Sequence, residues 1–249
     1  PPPAGTRNQS RMVSSMIGRD MISRRNVLKF GALGTMATWT PALTLAALSN
    51  QYFELRAQKT PYDLTGEGNQ LSQLWLYNGT TPGPEIRVKQ GERVKVRFIN
   101  ELDEPTSVHW HGIRIDNAMD GVSGLTQDPV LPGASFDYDF EVPDAGTFWY
   151  HAHNKSWEQV ARGLYGPLIV EEPVLIFDRD HDITLVIDDW RIGDAGALHL
   201  ASLGAFMDWT HAGRLGNWLT VNGGSQPEFV LNAHENYRIR LINASNSRV

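Results

Sequence analysis

Short runs in which every second residue is apolar constrain this chain more than any other feature. Arg93-Val94-Lys95-Val96-Arg97-Phe98 and Phe136-Asp137-Tyr138-Asp139-Phe140 alternate apolar with charged residues, the period of a strand with one buried face. Tyr52–Ala57, Leu74–Tyr77 and Pro167–Val170 are further strand-type segments, bounded by Asn78-Gly79 and Pro82-Gly83 turns. The two limbs about Gly91, Ile86–Lys89 and Arg93–Phe98, read as a hairpin. No long helical period interrupts the series, and 23 Gly and 14 Pro suit a turn-rich architecture. An all-β, antiparallel Greek-key sandwich closing near Glu172 is the expectation. A second series follows from Pro173, with strands expected at Ile183–Ile187, Phe229–Leu231 and Tyr237–Ile242. Trp190 to Trp218 is a Gly-rich, poorly periodic connection. Residues 173–249 fall short of the roughly 100 that a sandwich uses, so this second domain reads as truncated.

Half of the eight histidines lie in two copies of one short pattern, His109-Trp110-His111-Gly112 and His151-Ala152-His153. In an extended strand His109 and His111 share a face, roughly 7 Å apart, with Trp110 on the other. The same holds for His151 and His153. Two such strands side by side converge four imidazoles, a donor set for copper, zinc, iron or nickel rather than magnesium or calcium. Pairs at this spacing serve two ions a few ångströms apart better than one, which favours a multinuclear site. One copy alone reads equally well as an accident of a half-buried strand; two copies beside aromatic strand residues do not. His181, His199, His211 and His234 are spaced too irregularly to extend the cluster and read as surface or loop residues.

His109-Trp110-His111-Gly112 and Trp149-Tyr150-His151-Ala152-His153 closely resemble the first two of the four copper motifs of multicopper oxidases, the laccase-like family of cupredoxin-domain enzymes. The resemblance extends through Tyr77-Asn78-Gly79-Thr80-Thr81-Pro82-Gly83-Pro84, Gln127-Asp128-Pro129, Arg162-Gly163-Leu164-Tyr165-Gly166 and Thr220-Val221-Asn222-Gly223. It implies a cupredoxin-like domain over residues 50–172 and an incomplete second one over 173–249. It also implies copper, with His109 on the type 2 ion and His111, His151 and His153 on the type 3 pair of a trinuclear cluster. Asp120, before Gly121, stands where the family commonly places an acidic residue that assists proton delivery; its plain reading is an Asp-Gly turn. The implied reaction oxidises a small-molecule or metal-ion reducing substrate and reduces dioxygen to water. The family's third and fourth motifs, HxxHxH and HCH, are not found here. With no cysteine, the thiolate-bound blue copper site cannot be built, so this chain carries half a ligand set. Trp110 and Trp149 read as packing residues. The competing reading is a copper-binding or scaffold protein of the cell envelope without turnover.

Ser23-Arg24-Arg25-Asn26-Val27-Leu28-Lys29 resembles the twin-arginine export signal, and a weakly apolar stretch follows from Phe30 to Leu48. Residues 1–49 are therefore expected to be an N-terminal extension and targeting segment. Read by the twin-arginine export machinery, it would deliver a periplasmic or secreted protein. Its low hydrophobicity argues against a stable membrane span. The net charge is −6 from 22 basic and 28 acidic residues. Most of that segment's charges are basic, so the remainder is more acidic still. Such a surface argues against nucleic acid and anionic membranes as partners.

Overall fold

The computed structural model describes residues 51–68, 71–210 and 213–248; the expected targeting segment lies outside them. Eight strands come first: β1 (Phe53–Tyr62), β2 (Ser72–Tyr77), β3 (Ile86–Lys89), β4 (Arg93–Asn100), β5 (Val108–His111), β6 (Ser135–Glu141), β7 (Gly146–Ala152) and β8 (Tyr165–Glu171). They make two four-stranded sheets, ordered β2-β1-β4-β6 and β3-β8-β7-β5. β9 (Asp182–Trp190), β10 (Trp218–Val221) and β11 (Arg238–Asn243) make a three-stranded sheet ordered β10-β9-β11. The helices, α1 (Ser156–Gln159) and α2 (Phe206–Thr210), are short. No described helix is long and apolar enough to cross a membrane. The fold is all-β, built as tandem cupredoxin-like Greek-key units with no closed barrel.

Alternation decides which faces are buried. Val94, Val96 and Phe98 of β4 point inward and are inaccessible to solvent. Arg93 and Arg97 point outward, and Arg97 donates bidentately to Asp137 on β6 at 2.7 and 2.8 Å. Such an exposed cross-strand pair contributes under about 1 kcal/mol. Most of the stability comes from the apolar core between the sheets, where Leu55, Tyr77, Val96, Phe98, Trp110, Tyr138 and Tyr150 meet.

Three expectations need correction. Ile86–Lys89 and Arg93–Phe98 are not a hairpin: β3 pairs in parallel with β8, whereas β4 pairs with β1 and β6 in the opposite sheet. The Gly91 turn carries the chain between layers. Arg87 shows why, since it is buried and donates to Glu85 at 2.7 Å and to Asp182 at 3.1 Å. Residues 229–231 form no ladder, and Val230 is 94% exposed. The neighbours of β9 are instead β10, at the end of the Gly-rich connection, and β11. The sandwich is also mixed rather than wholly antiparallel, because β1–β4 and β3–β8 are parallel pairs.

The sheet β3-β8-β7-β5 has two unlike faces, fixed by its ladder registers. Ile86, Val88, Leu168, Val170, Tyr150, Ala152, Val108 and Trp110 face the core. The opposite face carries Arg87, Ile169 and Thr147 toward one end and the histidines toward the other, with Tyr165 directly across from His151. The three-stranded sheet covers the first end. Arg240 donates to Asp182 at 2.7 and 2.8 Å and to Thr147 of β7 at 2.9 Å, and the Tyr165 hydroxyl donates to Asp188 at 2.7 Å.

Candidate metal centre

β5 and β7 are antiparallel neighbours in the register His109↔His151 and His111↔Trp149. Directly opposed residues share a face, so the period-two pattern delivers His109, His111 and His151 to one side. Behind them Val108, Trp110, Tyr150 and Ala152 are inaccessible to solvent. Tyr150 donates to the Pro84 carbonyl at 2.7 Å and packs against Trp110, ring centroids 5.7 Å apart. Gly166 makes room for that ring, because a Cβ there would lie 2.3 Å from the phenol. The apolar face thus clamps the strand pair that carries the imidazoles.

One potential ligand nitrogen from each of His109, His111 and His151 lies within 4.8 Å of the other two. Among the described residues, these three are the group of metal-ligating side chains that converges this closely. The ring centroids of His109 and His111 are 5.5 Å apart, closer than the strand repeat. His153, just past the end of β7, borders the group: its ring lies 5.2 Å from that of His109 and 6.0 Å from that of His151. His181 sits elsewhere, sharing hydrogen bonds with Asp178 and, at 2.9 Å, with Glu235. His199 and His234 are exposed, and His211 lies outside the described residues.

Backbone carbonyls set the tautomers. A carbonyl only accepts, so His109 Nδ1–H donates to the Asp120 carbonyl at 2.7 Å and leaves a lone pair on Nε2. His151 Nδ1–H likewise donates to the Ala152 carbonyl at 3.0 Å. His151 Nε2 is then the acceptor for His111 Nδ1–H, 3.2 Å away. Burial lowers the affinity of His111 for a proton, and the neighbouring imidazoles of His109 and His153 lower it further. In His151 burial is again the main cause and pushes the group down to about 4, against the opposing pull of the Ala152 carbonyl. Both are neutral near pH 7, the state in which imidazole binds a metal.

The Asp120 carboxylate stands 3.5 Å from His109 Nδ1 and is partly exposed. Two features escaped the sequence reading. Trp149 packs, as expected, but against the histidines: its ring lies 4.3 Å from that of His151 at 34° and 5.2 Å from that of His111. The other is the carbonyl contact of Asp120, which no side-chain pattern announces.

The nitrogen-only donor set fits copper or zinc and not a hard cation. Comparison with known proteins supplies the choice. A family profile described as multicopper oxidase matches residues 58–174. Residues 58–174 belong to the multicopper oxidase family. Copper resistance protein A of Pseudomonas syringae pv. tomato is 37% identical over 193 residues, which covers 71% of this chain and 30% of that protein. A multicopper oxidase structure from Pseudomonas thermotolerans is 40% identical with a TM-score of 0.74, over 80% of this chain and 47% of that one. Lac15 from a marine microbial metagenome is 47% identical with a TM-score of 0.66, over 80% of this chain and 48% of that one. The chain therefore spans about a third of that curated relative and under half of the two solved structures.

Proposed function

We propose that this chain supplies half of the imidazole ligands of a trinuclear copper cluster. The whole protein would oxidise a small-molecule or metal-ion reducing substrate and reduce dioxygen to water. The convergence of His109, His111 and His151 across the β5–β7 ladder carries this reading. On it, His109 holds the type 2 copper through Nε2, and His111, His151 and His153 hold the type 3 pair. Bound copper supplies one-electron chemistry between Cu(I) and Cu(II), which neutral imidazoles tolerate in both states. The protein's own part is to present unprotonated nitrogens on a rigid strand pair. The Asp120 carboxylate, close to His109 and open to water, would pass protons to the reduced oxygen. Residues 50–172 would form the ligand-bearing domain, with a second domain beginning at residue 173. Residues 1–49 would direct export by the twin-arginine route to the periplasm or beyond, read through Arg24 and Arg25. Replacing both arginines by lysine would then abolish periplasmic accumulation, and undiminished accumulation would refute the export assignment.

The functional test is a ligand count made by experiment. The copper-loaded 249-residue chain should show no intense blue absorption and no turnover of a phenolic donor. It has no cysteine for the thiolate centre that receives electrons, and four imidazoles cannot saturate three coppers. Turnover at the rate of a complete oxidase would overturn the half-set reading.

A further inference from the structure

We propose that Gly121 and Ser107 are positioning residues for His109, acting through the backbone carbonyl of Asp120. The carbonyl oxygen, at 2.7 Å, and not the carboxylate, at 3.5 Å, is the near partner of His109 Nδ1. To aim that carbonyl at the ring, the chain after Asp120 must press against the start of β5. Gly121 makes this possible in two ways. Its φ is +75°, where residues with a side chain are strained. A Cβ there would also lie 1.7 Å from the Val108 carbonyl oxygen and 3.0 Å from His109 N. No other residue fits without withdrawing the loop.

Ser107 holds the contact shut. It is inaccessible to solvent and donates its hydroxyl proton to the Gly121 carbonyl at 2.6 Å. With that proton committed, its oxygen accepts from the Ser123 hydroxyl at 2.8 Å. On the other side, Asp120 N–H donates to Asn117 O at 3.2 Å, closing a short helical turn. β5 itself is pinned where Val108 N–H donates to the buried Tyr138 hydroxyl at 3.1 Å. The imidazole is therefore set by peptide and hydroxyl groups that do not ionise near neutral pH. This separates two jobs of one residue: the Asp120 backbone orients His109, and its carboxylate is left free for protons.

The inference rests on His109 being a ligand, but its decisive readout needs no metal. In metal-free protein labelled with 15N-histidine, long-range 1H–15N correlation distinguishes a protonated ring nitrogen from one with a free lone pair. The His109 signal is assigned by its loss in His109→Gln. The expected pattern is protonated Nδ1 and unprotonated Nε2, unchanged in Asp120→Asn, which keeps the carbonyl. Gly121→Ala should lose it, and Ser107→Ala should give a mixture of tautomers. In a titration against a competing chelator, Gly121→Ala should bind copper at the His109-dependent site at least about tenfold more weakly, as loss of a ligand's outer partner typically does. If Gly121→Ala does not fold, the wild-type tautomer and Ser107→Ala still decide. An Nε2–H tautomer in the wild type, or a tautomer lost in Asp120→Asn and kept in Ser107→Ala, would overturn the proposal. Failure to bind copper with the tautomer pattern intact would instead count against the metal reading.

Discussion

The two faces of the sheet β3-β8-β7-β5 are made from alternate residues of the same strands, yet they do different work. One is apolar and closed, with Trp110, Tyr150, Val108 and Ala152 all inaccessible. The other is mixed: imidazoles stand beside Trp149 and Tyr165 on it, and Arg87 and Tyr165 reach from it to the three-stranded sheet. The first face gives stability through buried area. The second arranges groups that by themselves favour solvation over burial. A ligand cluster can be this close-set because the strand pair is held from behind.

The largest effect should come from the closed face. Trp110→Ala removes a fully buried indole and should destabilise the protein by about 3 to 5 kcal/mol, with copper binding lost as the strand pair loosens. Chemical denaturation measures the first and metal analysis the second. A loss under about 1 kcal/mol would show that the apolar face is not the clamp described.

At the seam the expected effect depends on pH. Burial pushes the Asp188 carboxyl up to about 8, against the Tyr165 hydroxyl and the Asp189 N–H that favour its charged form. The unfolded chain releases that proton near pH 4. Between about pH 4 and 8 the folded state therefore binds a proton that the unfolded state does not. Stability falls as pH rises through this window, and the loss is complete above it. Asp188→Asn should flatten the decline in melting temperature between about pH 5 and 8. An unchanged slope would remove Asp188 as its source.

The smallest effect belongs to the histidine end. Trp149 is only partly buried, yet it lies against both His111 and His151. Trp149→Ala should weaken copper binding about tenfold while costing less stability than Trp110→Ala; Trp149→Phe should restore most of the affinity. Equal affinities for all three proteins would return Trp149 to a packing role.

Much of this division was legible in the sequence, because alternation is a local property. The His-Trp-His spacing put two imidazoles on one face and the indole on the other, and the apolar periods of β4 and β6 marked the core. What escaped depends on partners far along the chain. By its local pattern Arg87 is an outward residue of a hairpin, whereas Asp182, 95 residues on, holds it inside. Val230 looked like a strand residue, but no neighbouring strand pairs with it. Asp120 was noticed for its carboxylate, whereas its carbonyl reaches His109 only because Gly121 lets two backbones touch.

On the proposed function, this second face holds a preformed copper site to which His109, His111, His151 and His153 all contribute. Its most direct test loads copper into the purified chain and into His109→Ala/His111→Ala/His151→Ala/His153→Ala, then removes loose metal by gel filtration and counts copper per chain. The wild type should retain copper. The variant should retain none, with an unchanged far-ultraviolet spectrum because the apolar face is intact. Equal retention by the two would contradict the account.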